Sequence, residues 1–393
     1  MQLSQRIPRF SLRVVLSYLL DWVIIAVIAG IGGAFNSIEP YHRPFSLLDL
    51  SISFPLKDDT VSVTTLVLVS VIAPGILIFL LSILLVPGPA AIHRLSRSQL
   101  LHRKLWEWNT GWMGLGLSLA SAFFITQGMK NLFGVPRPHL LSVCQPDLSR
   151  IAPSVIGGFG QDISERWTLV TSDICTTTDL KELKDSFRSF PSGHSSTSWS
   201  GLLYLSLWFC AKFGVRFPTL PSRFQPAPIL RPASPEALPV HQQDTELHAE
   251  PTASEYSAAA APIPLLALSF IPIATAIYIC STRYTDFYHH AFDILFGSLI
   301  GVSTSVMAFR WYQMPLIDAN EGWAWGPRTR TSAFGTGVGT AGYVDLGNWG
   351  SSALGGKAVV KEMGNVAERG DSAVGEGSSR ADTMYGRVAD DER

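Results

Sequence analysis

Residues 190–196 have the sequence Phe-Pro-Ser-Gly-His-Ser-Ser and join a polar stretch to a hydrophobic segment long enough to cross a membrane. Proline fits the first turn of a helix, so this stretch predicts a helix start. A helix start presents unpaired N–H groups and the positive end of the helix dipole, which together favour an anion. His194 stands at this start, where its imidazole can pass a proton. An ordinary turn is the alternative for this stretch taken alone.

Around this stretch, six hydrophobic segments reach the length of about 20 residues that a membrane-spanning helix needs. They run from Val14 to Phe35, Thr64 to Val86, Gly111 to Phe133, Ser195 to Phe217, Pro262 to Cys280 and Ala291 to Tyr312. The third and fourth segments carry polar residues at one end, so five or seven spans are alternatives to six. We therefore predict an all-α, polytopic membrane protein built as a bundle of six transmembrane helices.

The charges of the connecting segments predict the orientation of this bundle. The first connection is acidic, whereas basic residues precede the first segment and fill the second connection: Arg6, Arg9, Arg13, Arg94, Arg97, Arg103 and Lys104. Because Lys and Arg are enriched in cytoplasmic connections, both termini are predicted to lie in the cytosol. The first, third and fifth connections then face the lumen or the outside.

This topology divides the chain into three parts. Residues 1–13 form a cytosolic N-terminus, residues 14–313 the membrane domain and residues 314–393 a tail whose Gly, Ser and scattered charge predict disorder. Within the membrane domain, residues 134–190 form a long lumenal connection and residues 218–257 a Pro-rich cytosolic linker. The sequence does not distinguish vacuole, Golgi, endoplasmic reticulum and plasma membrane.

The lumenal connection contains Cys144 and Cys175. Both lie on the oxidising side of the membrane under this topology, so a disulfide between them is one expectation. Two free thiols in a folded loop are the alternative. Cys210 and Cys280 fall within hydrophobic segments and are predicted to pack there.

Cations stand at the lumenal end of the third segment. Lys130 closes that segment, and Arg137 follows between two prolines that stop the helix and stiffen the chain. Ionisable residues beside a spanning helix are costly and need a reason. A phosphate-binding pair is one interpretation, and a snorkelling lysine with an interfacial arginine is the other.

The connection between the fifth and sixth segments begins with Arg283 and ends with His289, four residues before Asp293. Positions four apart share a face of a helix. Asp293 is therefore expected to accept a hydrogen bond from one nitrogen of His289 and leave the other free to attack, as in a catalytic triad. The alternative is a helix-capping histidine with a nearby aspartate. His290 is predicted to be structural.

The predicted topology brings these separate junctions to one membrane face. Three cations and a helix start suit a multiply charged anion, and two histidines supply a nucleophile and an acid. The sequence thus predicts a phosphoryl-transfer site made of Lys130, Arg137, Ser192, Gly193, His194, Arg283, His289 and Asp293.

This pattern resembles the type 2 phosphatidic acid phosphatase superfamily, also called lipid phosphate phosphatases, which shares its site with vanadium haloperoxidases. The resemblance covers about residues 14–313 and rests on three ordered motifs: Lys130 to Arg137-Pro138, Pro191 to His194, and Thr282-Arg283 to His289 and Asp293. Thr282 replaces the family's serine and keeps its hydroxyl. Residues 144–147, Cys-Gln-Pro-Asp, are similar to fungal members that act on diacylglycerol pyrophosphate and phosphatidate.

The resemblance implies a role for each residue of the predicted site. His289 would attack phosphorus to form a phosphohistidine while Asp293 holds its tautomer, and His194 would protonate the leaving group and then activate water. The phosphate oxygens would be bound by Lys130, Arg137, Arg283, the Ser192 hydroxyl and the backbone amides of Ser192 and Gly193. No cluster of carboxylates for a metal is evident, so activity without metal or other cofactor is expected.

The predicted function is metal-independent hydrolysis of lipid phosphates such as phosphatidate, diacylglycerol pyrophosphate and lysophosphatidate. The alternatives are a transferase of lipid phospho-head-groups, a phosphatase of sphingoid-base phosphates, and a catalytically silent lipid-binding membrane protein. The expected partners are the lipid substrate and the bilayer. With 30 Lys and Arg against 31 Asp and Glu, the charge balance gives no indication of nucleic-acid binding, and protein partners are not predicted.

Overall fold

The computed structural model describes residues 12–88, 96–164, 167–215 and 262–313, and the single residues 324, 326, 328 and 334. The predicted linker 218–257 and nearly all of the predicted N-terminus 1–13 and tail 314–393 lie outside the described residues. The chain forms two units, Met1–Trp325 and Gly326–Arg393. All of the helices and strands given below belong to the first unit.

Helices make up most of the described chain. They are α1 Leu12–Ser37, α2 Val63–Leu85, α3 Arg97–Phe133, α4 Leu140–Cys144, α5 Ile151–Ser154, α6 Leu180–Ser186, α7 193–213, α8 Ile263–Thr285 and α9 Ala291–Tyr312. One π-helical turn lies within α2 at Leu68–Ile72 and another within α7 at Trp199–Leu203. Strands β1 Val155–Gly157 and β2 Leu169–Val170 pair antiparallel.

Four helices of the described chain, α1, α2, α8 and α9, are long and apolar enough to cross a membrane. They correspond to the first, second, fifth and sixth predicted segments. Helices α3 and α7 occupy the positions of the third and fourth segments but are more polar. The prediction of an all-α membrane protein is therefore confirmed, whereas the count of six spans stays a prediction.

Helix α3 begins at Arg97, well before the predicted segment start at Gly111. Ser96 and Gln99 form a capping box, in which each side chain accepts a hydrogen bond from the other residue's backbone N–H. The basic residues Arg97, Arg103 and Lys104 therefore lie on a helix and not in a connection. A charged first turn is compatible with helix formation because Arg and Lys are good helix formers.

The bundle is packed around α3, which contacts α1, α2, α7 and α9. A buried core of Ile78, Leu115, Tyr204, Trp208 and Phe309 joins α2, α3, α7 and α9. Nearer the predicted site, α9 lies directly against the start of α7. A Cβ added at Gly297 would lie 2.5 Å from the carbonyl oxygen of Ser192, so only glycine permits this approach.

The connection between α3 and α7 has a small core of its own. Leu140, Val170, Ile174 and Phe187 are fully buried there, and they pack with Phe45 from the connection between α1 and α2. A disulfide joins Cys144 to Cys175, which are 31 residues apart. Cys210 and Cys280 are free and buried within α7 and α8.

Candidate active site

Lys130 lies in the last turn of α3, at the candidate site. The helix ends at Gly134, which has a left-handed conformation and donates its backbone N–H to the carbonyl oxygen of Lys130 at 3.2 Å. Lys130 is buried. Its ammonium group lies 3.4 Å from the position that a Cβ of Gly193 would occupy, so it sits at the start of α7.

Arg137 is held by groups from two later parts of the chain. Its Nη2 lies 2.7 Å from Oδ2 of Asp185, and its guanidinium carbon lies 5.3 Å from the ring centre of Tyr288. Burial alone would raise the pKa of Asp185. Neighbouring cations, of which Arg137 has the largest effect, outweigh burial and lower this pKa to about 2. Nε of Arg137 is buried and has no hydrogen-bond partner among the described residues, so it remains available to an anion.

Ser192 caps α7, as the Pro-Ser-Gly pattern predicts for a helix start. Its Oγ accepts hydrogen bonds from the amide of Ser195 at 3.4 Å and from the hydroxyl of Ser195 at 3.1 Å. Its own amide donates to the carbonyl oxygen of Asp293 at 3.0 Å. The Ser192 amide, which the resemblance assigned to phosphate, is therefore already used to join α7 to α9.

His194 contacts the connection between α1 and α2. Its Nε2 lies 3.1 Å from the carbonyl oxygen of Val61. Because a carbonyl oxygen can only accept a hydrogen bond, this contact places the proton of a neutral imidazole on Nε2.

Arg283 is fully buried, and most of its donors are already bonded. Nη1 lies 2.6 Å from Oδ1 of Asp59, and Nη2 lies 3.1 Å from Oδ2 of Asp286. Nε and Nη2 also donate to Oγ1 of Thr282 at 3.2 Å. The threonine that replaces the family's serine thus supplies the hydroxyl that orients this guanidinium.

Asp286 anchors the segment of residues 57–61 next to the site. It accepts hydrogen bonds from the amide and the hydroxyl of Thr60, both at 2.9 Å, and from Nζ of Lys57 at 3.1 Å. Tyr288 donates its hydroxyl to the carbonyl oxygen of Lys57 at 3.1 Å. Asp286 therefore links Arg283 to the segment that carries Asp59.

The ring of Tyr288 lies between the two arginines. It is 5.5 Å from the guanidinium carbon of Arg283, which is close to its distance from Arg137. Tyr288 and the carboxylates of Asp59, Asp185 and Asp286 were not among the site residues predicted from the sequence. Of these residues, only Asp286 could have been predicted from the sequence. It lies three residues after Arg283, a spacing that places both on the same side of the helix end.

His289 is buried, with its amide 3.3 Å from the carbonyl oxygen of Arg283. Its Nδ1 lies 3.7 Å from Oδ2 of Asp293 and has no hydrogen-bond partner among the described residues. The predicted orienting hydrogen bond is therefore absent at this separation. Burial lowers the pKa of His289 to about 4, although Asp293 opposes the shift, so the imidazole is neutral near pH 7.

Asp293 is bound instead by three nearer donors. Oδ2 accepts from the hydroxyl of Ser189 at 2.6 Å and from the amide of His290 at 3.0 Å, and lies 3.3 Å from Nδ1 of His290. Helix α9 begins at Ala291, so His290 is the N-cap and His289 precedes the helix. Four-residue spacing places two residues on one face only within a helix, which explains why His290 takes the contact predicted for His289.

These contacts bring the predicted site residues together at one end of the bundle. Lys130 faces Gly193, Ser192 is bonded to Asp293, and His289 is bonded to the backbone of Arg283. Tyr288 then joins Arg283 to Arg137. The result is a cluster of two histidines and three cations in which several donors already have carboxylate partners.

Comparison with known proteins identifies the family. A model of the PAP2 superfamily matches residues 111–316, a range that contains all three motifs. The chain belongs to the PAP2 superfamily. This confirms the resemblance predicted from Lys130, the Pro191–His194 stretch and the Arg283–Asp293 stretch.

Curated relatives of this PAP2 member extend the similarity over most of the chain. Diacylglycerol pyrophosphate phosphatase 1 of Saccharomyces cerevisiae is 28% identical over 284 residues, which cover 71% of this chain and 74% of the yeast protein. Probable lipid phosphate phosphatase 4 of Arabidopsis thaliana is 24% identical over 325 residues, covering 82% and 80%. Lipid phosphate phosphatase 2 of Arabidopsis thaliana is 24% identical over 311 residues, covering 78% and 80%. No solved structure matches the chain significantly.

Proposed function

We propose that this PAP2 member is a membrane phosphatase that removes phosphate from lipid phosphomonoesters or pyrophosphates, with phosphatidate, diacylglycerol pyrophosphate and lysophosphatidate as candidate substrates. One observation carries the proposal: a buried, neutral His289 lies in the same cluster as Lys130, Arg137 and Arg283. A neutral imidazole is a nucleophile, and three cations suit the charge of a phosphate. The names of the relatives support the same class of reaction.

In the first step, the Nε2 lone pair of His289 attacks phosphorus, and the bond from phosphorus to the lipid oxygen breaks. His194 gives a proton to that leaving oxygen. In the second step, His194 takes a proton from water, which attacks the phosphohistidine and releases inorganic phosphate. The cations stabilise the charge on the phosphoryl oxygens throughout.

Asp293 holds the imidazole of His289 in the orientation that the attack needs. Hydrogen bonds of catalytic groups are often long before substrate binds and shorten in the complex. The 3.7 Å separation between Nδ1 of His289 and Oδ2 of Asp293 closes in this proposal when the phosphate draws His289 forward.

The reaction is proposed to need no metal, because fixed cations take the part that Mg²⁺ plays in other phosphoryl-transfer enzymes. Within the described residues, no group of three or more His, Cys, Asp or Glu side chains is arranged to hold a metal ion. The carboxylates of Asp59, Asp185 and Asp286 are each paired with Arg or Lys.

Helices α3 and α7 complete a six-span bundle in this proposal. Their polar side chains bond to one another: Thr126 donates to the hydroxyl of Ser196 at 2.8 Å, and Ser118 donates to the carbonyl oxygen of Ser200 at 2.9 Å. Such pairs satisfy polar groups inside a membrane bundle, so the two helices can span without being uniformly apolar. The charge pattern then puts both termini in the cytosol and the site at the lumenal or outer face.

The test is phosphate release by the purified full chain in detergent, with and without EDTA, over phosphatidate, diacylglycerol pyrophosphate, lysophosphatidate and a sphingoid-base phosphate. Release from at least one lipid in EDTA is expected. Release only after Mg²⁺ is added would contradict the metal-independent mechanism. Transfer of labelled phospho-head-group to an added lipid alcohol would identify a transferase, and binding without turnover would identify a silent lipid-binding protein.

A further inference from the structure

The hairpin formed by β1 and β2 exposes large apolar side chains outside the helix bundle. We define the hairpin surface as the side chains of Ile156, Phe159, Ile163, Trp167 and Leu169. Phe159 is 81% exposed, Ile163 62% and Trp167 55%. The connection that carries the hairpin already has a buried core, so these side chains are surplus to its folding. Several large apolar side chains exposed on one short hairpin indicate an interaction surface.

The described residues on either side of positions 165 and 166 are held by backbone hydrogen bonds. Trp167 donates its amide to the carbonyl oxygen of Ser164 at 2.9 Å, and Gln161 donates to that of Gly158 at 3.0 Å. A Cβ added at Gly160 would lie 2.6 Å from the carbonyl oxygen of Trp167, so the backbone of the tip packs closely on itself. Residues 165 and 166 are not described and form no part of the hairpin surface.

The hairpin surface is continuous with the end of a membrane helix. Leu169 lines a cavity of about 450 Å³ together with Tyr41, Arg43, Pro44, Leu132 and Phe133. The amide of Tyr41 bonds to the carbonyl oxygen of Asn131 at 3.0 Å, only four residues beyond the end of the membrane helix α1 at Ser37. Leu132 and Tyr41 are themselves exposed. An apolar surface therefore runs from the end of α1, across the end of α3, to the hairpin.

We propose that the hairpin surface is seated in the interfacial layer of the lipid leaflet next to the candidate site. Trp, Phe and Ile are among the side chains that this layer favours. Arg43, which lines the same cavity, adds a cation that can attract the phosphates of lipid head groups. The hairpin then forms a second membrane contact beside the helices, independent of whether the site hydrolyses lipid.

The contact also reaches the edge of the candidate site. Phe133 lies 5.2 Å from the ring of Phe190, the residue before Pro191. The lipid leaflet that contacts the hairpin surface is therefore the one from which a lipid head group can approach Lys130 and Ser192.

The wild-type chain in phosphatidylcholine nanodiscs tests this proposal with a lipid that carries a photoactivatable diazirine in its acyl chain. Mass spectrometry after irradiation should place adducts on Phe159, Ile163 and Trp167, and few on Thr178, an exposed polar position in the same connection. An equal yield at Thr178 and at the hairpin positions would overturn the proposal. The absence of lipid adducts at all three hairpin positions, with adducts present on the membrane helices, would also overturn it.

A second measurement uses the variants Phe159→Cys and Ile163→Cys, with Thr178→Cys as the matched control. The native free cysteines, Cys210 and Cys280, are buried, so a fluorescent thiol label selects the introduced position. Labels at 159 and 163 should be quenched by spin-labelled lipid and protected from aqueous iodide, and the label at 178 should behave in the opposite way. Iodide quenching at 159 and 163 equal to that at 178 would contradict the membrane contact, whatever the phosphatase assay shows.

Discussion

Nδ1 of His289 lies 3.7 Å from Oδ2 of Asp293, whereas Nδ1 of the neighbouring His290 lies 3.3 Å from the same oxygen. The same carboxylate oxygen thus lies near both histidines, and His290 is the nearer of the two. Asp293 raises the pKa of His290, while burial lowers that of His289. Their chemical difference arises from position, since His290 caps α9 and His289 precedes it.

Replacing each histidine in turn separates these roles. His289→Ala should lower kcat by at least about 10⁴-fold, because it removes the nucleophile. His290→Ala should keep kcat within about tenfold of wild type, because it leaves the nucleophile in place and removes only two hydrogen bonds, to Asp293 and to the carbonyl oxygen of Ser51, each worth about 1 kcal/mol. Phosphate release from the best lipid substrate measures both, with Tm as the check on folding. Equal losses in two folded variants would refute the assignment of His289 as nucleophile.

Asp293→Asn tests the orienting role of the carboxylate. We expect kcat to fall by about 10²- to 10⁴-fold. A neutral amide accepts a weaker hydrogen bond from Nδ1–H of His289 than a carboxylate does, and it does not stabilise a charged imidazole. The control is His290→Ala, which leaves the carboxylate in place. A kcat within twofold of wild type would show that Asp293 serves only as the cap of α9.

The lowered pKa of His289 predicts how it titrates. A proton on the imidazole blocks attack, so the nucleophile is active above its pKa and lost as pH falls through it. In the free protein this loss should be centred near pH 4 and not near the ordinary value of about 6.5. A histidine NMR titration, assigned by the signal missing in His289→Ala, measures it directly. A midpoint near 6.5 would contradict the buried, desolvated position.

Asp286→Asn should weaken the attachment of residues 57–61 and the orientation of Arg283. The carboxylate is buried and pairs with Arg283, which keeps Asp59 as its other partner, so its loss should destabilise the fold by about 1–3 kcal/mol and lower kcat/KM. Thermal unfolding and phosphate release measure the two effects. Asp58→Asn, at an exposed position of the same segment, is the matched control and should change stability by less than about 0.5 kcal/mol. Indistinguishable Tm values for the two variants would contradict this role.

Several features of the fold are encoded locally in the sequence. The apolar stretches of α1, α2, α8 and α9 were predictable because length and hydropathy are properties of the chain itself. The start of α3 is also encoded locally, by the Ser96–Gln99 capping box. The basic residues that follow it favoured the prediction of a connection instead of a helix. Helices α3 and α7 are harder to recognise as spans because their polar groups are satisfied by each other and not by neighbours in sequence.

The membrane helices of this protein, its family and the residues of its three motifs could be predicted from the sequence, because they depend on composition and on short fixed spacings. Tertiary structure alone decided which groups hold those residues. Asp59 reaches Arg283 across 224 residues, and Tyr288 lies between Arg283 at the end of α8 and Arg137 in the connection after α3. It also decided which histidine bonds Asp293, because that depends on where α9 begins once the chain has turned into the bundle. Long-range pairing and the exact start of a helix are set by packing, and spacing along the chain does not encode them.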